Sequence, residues 1–501
     1  MAKKDLLLNL IHSLSANEKR YFSLFSPGSD SQNYRKLFNA LEEEDSYNSK
    51  EIRMKLGATS MNIAYEKSYL QKMLMRSLRN FYDGSTDEIT LHNALINIEV
   101  LFNKQQYELC FDLIRQSKQL AENGERYQQQ LSLIQWEKRC MVRLGKYDYL
   151  EKQFTRGLKG ELQILSLLQN LSEYRSLQLY MLSLTYKKGN IKRSTDWKKL
   201  EEIIRHPLMK SVRNAKSFRA RLMYYEILFS WHHHNYNIEK AYYYNKLALQ
   251  LFDKSPQSVA NNAQSYFSVL ANFFNRALAL NKMTELEPII QKLEVFSNQY
   301  AAKLPSSLVR EMRSGILERK MIVFTYNRDY VKSAALAESM AHELESPRSL
   351  FRPAFFIVFY YFAALSCFYL RKYDKSLVYS RKIIDGFDKK VRLDFIFTTY
   401  LLHFLTHFEM GHTDLLPYLQ KSIQRFATSH DLLTPANKVL IKFFQELSKP
   451  RGNEARVALV IKQYYKLLLP YKNDTTQNIA LETLDLFHWL DRKLKPAGNG
   501  N

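Results

Sequence analysis

Apolar residues recur at helical spacing along almost the whole chain, and short polar turns interrupt them. Between Asn62 and Phe81, for example, Leu70, Leu74, Leu78 and Phe81 line one face, while Lys72, Arg76 and Arg79 fall at i, i+4 and i+7 on another. The interrupting turns are alike: a short polar stretch, often ending in an aromatic residue. They lie at Lys104–Tyr107, Lys146–Tyr147, Lys188–Ile191, Asn235–Ile238, Asn281–Met283, Asn327–Tyr330, Arg371–Tyr373 and Gly411–Thr413. Successive copies are roughly 40 to 48 residues apart, the period of stacked helix pairs. The pattern predicts an all-α, right-handed α-solenoid of about eight helical hairpins.

Composition agrees with this. The chain has 501 residues, more than one compact core usually holds, yet no Pro/Gly/Ser-rich linker divides it. A solenoid resolves the conflict because its core grows lengthwise. Gly at 14 and Pro at 12 are scarce, and these are the residues that interrupt helices. Tyr at 33 and Phe at 30 are abundant, which suits wide seams between helices.

The chain reads in zones. Residues 1–84 form an N-terminal helical module, with a capping box at Ser15-Ala16-Asn17-Glu18 and a turn cluster at Ser26-Pro27-Gly28-Ser29-Asp30. Residues 85–430 hold the repeated hairpins. Residues 431–494 form a helical cap built on Val439–Leu447, Ala455–Leu469 and Ile479–Leu494, and 495–501 a disordered tail. Ala354 to Leu370 carries no charge, but at about 1.5 Å per residue it spans roughly 25 Å, short of a hydrocarbon core near 30 Å. With a repeat turn directly after it, it is expected to be a buried repeat helix.

The best repeat copy runs from Ala363-Ala364-Leu365 to Leu370, then through Tyr373-Asp374-Lys375-Ser376-Leu377 to Lys382-Ile383-Ile384. Others are Ile238-Glu239-Lys240-Ala241 and Tyr330-Val331-Lys332-Ser333-Ala334. The small residues Ala241, Ser333 and Ser376 recur early in the second helix, where each allows a close approach to the first. These copies resemble tetratricopeptide repeats, over about two thirds of the chain. The spacing exceeds that family's ~34 residues and its Trp-Leu-Gly-Tyr pattern is absent. The resemblance implies longer helices in the same kind of hairpin. The stretch Leu14–Phe22, with Asn33–Phe38 and Ser77–Phe81, resembles an uncharacterised family of bacterial helical-repeat proteins common in Bacteroidota. That resemblance implies a cytoplasmic bacterial protein and supplies no activity.

Charge is the second clue. Lys+Arg 73 against Asp+Glu 50 gives +23, which points to an acidic partner or a polyanion. The excess concentrates between Lys187 and Arg221, where Lys187, Lys188, Lys192, Arg193, Lys198 and Lys199 are followed by Arg205, Lys210, Arg213, Lys216, Arg219 and Arg221. Only Asp196, Glu201 and Glu202 oppose them. Tyr186 and Trp197 lie among them, so the stretch reads either as a solvated basic surface between repeats or as a stacking platform for bases. In the N-terminal module, Lys50–Leu56, a Gly57 turn and the basic helix carrying Lys72, Arg76 and Arg79 read either as a helix-turn-helix or as a plain cap. With a repeat body, the former layout resembles peptide-responsive bacterial regulators.

Chemistry-bearing motifs are lacking. The chain has no G-x-S-x-G, P-loop, Rossmann glycines or EF-hand loop, so neither an enzyme nor a cofactor is expected. His232-His233-His234 splay about 100° apart on a helix and cannot converge on one metal. His403 and His407 share a face at i and i+4, near Glu409 and His412, without the metalloprotease Glu, and no metal site is expected. Cys110, Cys140 and Cys367 sit inside apolar helical patterns and read as reduced core thiols. The N-terminus lacks a clean apolar region and a cleavage site, so no secretory signal is expected.

One polar stripe is suggestive. In a helix expected from Ser258 to Leu280, Asn261, Ser265, Ser268, Asn272, Asn275 and Arg276 recur at helical spacing. Asn offers a peptide backbone both a donor and an acceptor, so this stripe is either the floor of a peptide groove or a hydrated surface. The reading with most support is a non-catalytic scaffold that holds an acidic protein or peptide on a concave helical face. The alternative is a DNA-binding regulator.

Overall fold

The computed structural model describes residues 6–25, 33–44, 52, 54, 62–186, 194–301, 304–345, 351–387, 391–449, 454–472, 474 and 479–494. Among these residues every regular element is a helix, as the scarcity of Gly and Pro predicts. The chain divides into two compact units, one of residues 1–176 with 211–221, the other of residues 177–210 with 222–501.

The first unit contains α1 (Leu6–Ser13), α2 (Ala16–Phe25), α3 (Asn33–Glu43), α4 (Ile63–Phe81), α5 (Asp87–Asn103), α6 (Tyr107–Asn123), α7 (Tyr127–Arg143) and α8 (Tyr147–Tyr186) as far as Ser176. The capping box forms as its spacing predicts: the Ser15 amide donates to Glu18 Oε2 (2.6 Å) and the Glu18 amide to Ser15 Oγ (3.3 Å). Ile11, Leu37, Leu41, Leu70 and Leu74 are fully buried in one cluster. The segment proposed as the first half of a helix-turn-helix, 50–57, lies almost wholly outside the described residues.

The second unit contains α9 (Ser194–Arg205), most of α10 (Phe218–His234), α11 (Ile238–Asp253), α12 (Ser258–Asn261), α13 (Ala263–Ala279), α14 (Met283–Tyr300), α15 (Ser306–Tyr326) and α16 (Tyr330–Glu345). It continues with α17 (Pro353–Tyr369), α18 (Tyr373–Gly386), α19 (Leu393–Glu409), α20 (Leu416–Ser429), α21 (Pro435–Leu447), α22 (Glu454–Leu468), α23 (Ile479–Thr483) and α24 (Leu486–Leu494). From α13 to α22 each helix packs on the next. α17 is buried on every face, with Ile357, Phe359, Tyr361, Ala363 and Ala364 fully covered, which explains the uncharged run. Among the described residues no helix is long and apolar enough to cross a membrane.

The recurring turn has one geometry. A helix ends, a residue adopts a left-handed conformation, and the next helix starts. In the first copy Gln105 (φ 61°) is that residue; its amide donates to Phe102 O (3.0 Å), and the Gln106 amide donates to Leu101 O (2.9 Å). This pair of bonds is the Schellman arrangement, which satisfies two of the carbonyls a helix end leaves open. It repeats at Gly145, Tyr236, Asn281, Arg328, Arg371 and Gly411, at or beside the turns read from the sequence. The turn at Lys188–Ile191 lies outside the described residues. A further full copy at Glu125, and a left-handed turn at Asp431 with only the outer of the two bonds (Leu432 amide to Ala427 O, 2.9 Å), were not read from the sequence. Glu125 separates α6 from α7, so between α5 and α8 the turn marks every helix boundary rather than every second one.

The small residues behave as expected. Ala241, Ser333 and Ser376 are fully buried, and Ser333 Oγ accepts from Ser366 Oγ across to α17 (2.7 Å). Two helices expected to be continuous are broken. The Ser258–Leu280 helix divides at Asn262, whose side chain turns back to donate to Ser258 O (2.9 Å), a local bond that competes with helix continuation. The Ile479–Leu494 helix divides at Leu484-Asp485. Asp485 is left-handed (φ 47°) and its carboxylate accepts from Arg328 Nε (2.9 Å) and Tyr330 OH (3.0 Å).

Most left-handed turn positions are not glycine, although a side chain there costs about 1–2 kcal/mol. Arg371→Gly removes that cost and adds about 0.5–1 kcal/mol of unfolded-state entropy. The variant is therefore expected to gain up to about 1.5 kcal/mol, read as a higher urea midpoint. A lower midpoint would mean that the Arg371 side chain stabilises the turn by more than its strain.

Candidate functional site

The polar stripe falls on α13. Ser265, Ser268, Asn272, Asn275 and Arg276 occupy a sector of about 100° on this helix, and the break at Asn262 places Asn261 on α12 instead. Ser268 and Asn275 are exposed, while Ser265, Asn272 and Arg276 are half-buried. The opposite side of α13 is apolar and well covered: Leu270, Phe274 and Ala277 are fully buried. The pattern that predicts amphipathicity thus separates an anchoring face from a polar one.

Arg276 is the unusual member. Its NH1 donates to His233 Nδ1 (3.1 Å), so that nitrogen accepts and the ring proton sits on Nε2. Burial, then the Arg276 charge and His234, push the His233 pKa down to about 4, which keeps the ring neutral at pH 7. The Arg276 Nε is buried and has no hydrogen-bond partner, and among the described residues no carboxylate pairs with the guanidinium. Burial lowers its pKa. A guanidinium titrates so high that it stays charged, so Arg276 is a half-buried cation without a counter-ion among the described residues.

The neighbouring helix stiffens this region. Arg319, on α15, donates from NH1 to Gly315 O (2.8 Å) and from NH2 to Ala271 O (3.2 Å), tying α15 to α13 one residue from Asn272. A Cβ at Gly315 would meet the Phe267 ring at 3.0 Å and Arg319 NH1 at 3.1 Å, so any larger residue would push these side chains aside by a few tenths of an ångström. Neither Arg319 nor His233 was singled out from the sequence as part of the stripe's surroundings. The signal for Arg319 was its position four residues after Gly315. His233 has none, because its partner is 43 residues away.

Lys72, Arg76 and Arg79 are all exposed on one face of α4. Lys198 and Lys199 are exposed on α9. Lys187, Lys188, Lys192 and Arg193 lie outside the described residues. Trp197 is half-buried and packs edge-on against Trp231 (ring centroids 6.1 Å apart). That contact takes up part of the ring proposed as a stacking platform.

The histidines are engaged in other ways. His232 stacks on Tyr244, and His234 Nδ1 lies 2.8 Å from Ser230 O. His403 Nδ1 lies 2.8 Å from Ser380 Oγ, and His407 Nδ1 is 2.9 Å from His412 Nδ1. Glu409 accepts from Trp489 Nε1 (2.7 Å) and Lys493 Nζ (2.9 Å). Among the described residues no group of three or more His, Cys, Asp or Glu is placed to hold a metal ion. A surface depression lined by Tyr360, Arg381, Lys382, Asp385 and Phe387, among others, includes no stripe residue. No protein-family model, no curated protein and no solved structure matches this chain.

Proposed function

We propose that the chain is a non-catalytic cytoplasmic scaffold, a right-handed α-solenoid of about eight hairpins, that holds an acidic protein or peptide along the polar face of α13. The observation that carries this reading is Arg276: a half-buried cation with an unpartnered Nε, flanked on one helix face by Asn272 and Asn275. A carboxylate on the partner supplies the missing counter-charge. The two asparagines offer donors and acceptors to its backbone, and the net charge of +23 favours approach of an acidic surface. Charge-assisted hydrogen bonds of this kind contribute about 1.5–3 kcal/mol.

The test compares capture of acidic proteins from native lysate by the wild-type chain, Arg276→Gln and Asn272→Ala/Asn275→Ala, with and without nuclease. Affinities are then measured for the captured protein. Arg276→Gln is expected to weaken binding by about 10- to 100-fold. Equal capture by all three proteins would remove the basis of the reading. Capture that disappears with nuclease would transfer the role to the exposed Lys72, Arg76 and Arg79 face and to nucleic acid.

A further inference from the structure

Two of the three cysteines meet inside the first unit. Cys110 on α6 and Cys140 on α7 are both fully buried, and their sulfurs are 3.1 Å apart. The pairing is invisible in the sequence because 30 residues separate them and neither belongs to a CxxC motif. Their other polar contact is weak, Cys110 Sγ to Ile98 O at 3.5 Å. Leu91, Ile98, Ile114, Ala121 and Leu133 seal the pair in an apolar cluster.

We propose that Cys110 and Cys140 are a disulfide-forming pair, a covalent modification site that staples α6 to α7. The sulfurs need to close by only about 1 Å to reach the ~2.05 Å bond length, and packing of the two helices already holds them together. The oxidant is a small-molecule disulfide. When the cluster opens locally, one thiolate attacks this oxidant, forming a mixed disulfide and releasing one small thiol. The second thiolate then attacks the protein sulfur of that mixed disulfide and releases the second small thiol. Two protein thiols and one disulfide become one protein disulfide and two small thiols, with no electrons left over.

Burial sets the rate. It raises the Cys110 pKa against the opposing bond from Cys140, and burial together with the Cys110 contact raises Cys140 to about 12. The thiolate fraction at neutral pH is accordingly small, so the bond forms slowly, as a response to sustained oxidation. Cys367, buried in the second unit, has no cysteine partner among the described residues.

The experiment incubates native full-length protein with oxidised glutathione, in buffer and in urea. The protein is then quenched in acid, unfolded and alkylated, and its peptides are mapped by mass spectrometry. The expected result in buffer is a Cys110–Cys140 crosslink, lighter by two hydrogens, with Cys367 alkylated and helical circular dichroism unchanged. If both Cys110 and Cys140 are alkylated or carry glutathione after incubation in buffer, the proposal is wrong. The same holds if the crosslink appears only in urea.

Discussion

Tyr361→Ala is expected to destabilise the second unit by about 3–5 kcal/mol, the range for removing a large aromatic side chain from a core. Tyr361 lies midway along α17 and is fully buried. Its ring packs edge-on against Phe395 of α19 (5.2 Å) and against Phe362 (5.5 Å), and its hydroxyl donates to Thr483 O at the end of α23 (2.9 Å). One side chain thus joins two successive hairpins to a segment 122 residues further along the chain. Deleting it opens a cavity that the packed side chains around it can only partly refill. Tyr361→Phe separates the two contributions. It keeps the ring and removes a part-buried hydrogen bond, at a cost of about 0.5–1.5 kcal/mol. The measurement is the urea midpoint of the full chain, followed by circular dichroism. Should Tyr361→Ala unfold at the wild-type midpoint, α17 would not be the centre of this core.

The sequence pattern reported local geometry better than long-range contacts. The turns were legible because a Schellman ending imposes its requirements on consecutive residues, and a polar stretch before an aromatic is visible wherever it occurs. The burial of α17 was legible because a helix covered on every face has no position for a charge. The close approach at Ser333 and Ser376 followed from side-chain size alone. Two breaks were missed for a physical reason. Asn262 ends its helix through a single side-chain bond, and Asp485 is held in a left-handed conformation by Arg328 and Tyr330, more than 150 residues away. Helical periodicity continues through both positions, so only the partners reveal the interruption. The same limit applies to the candidate site. The stripe on α13 could be read from spacing, but the absence of a counter-ion at Arg276 among the described residues depends on which side chains α10 and α15 bring near it.

His403 offers a test of burial by pH. It lies on α19 and is 8% exposed. Ser380 gives its single hydroxyl proton to Leu377 O (3.1 Å), so Ser380 Oγ accepts from His403 Nδ1, 2.8 Å away. On its own helix the His407 ring lies 4.8 Å away. Burial first, then His407 and Arg381, push the His403 pKa down to about 3, and no carboxylate among the described residues opposes them. The ordinary histidine value is near 6.5. Below that value the unfolded chain takes up a proton that the folded chain refuses, so stability falls as pH falls. The loss approaches about 1.4 kcal/mol per pH unit and amounts to about 2 kcal/mol by pH 5. His407, whose pKa burial and His412 also lower, adds to the slope in the same direction. Above the unfolded-state pKa the contribution is complete and the curve is flat. His403→Leu keeps an apolar side chain of similar bulk and leaves Ser380 its bond to Leu377 O. This variant is expected to lose less stability than wild type between pH 7 and pH 5, seen as a shallower fall in the thermal midpoint. Parallel curves for the two proteins would mean that His403 takes up its proton in the folded state as readily as in the unfolded one, and that the seam between α18 and α19 admits water.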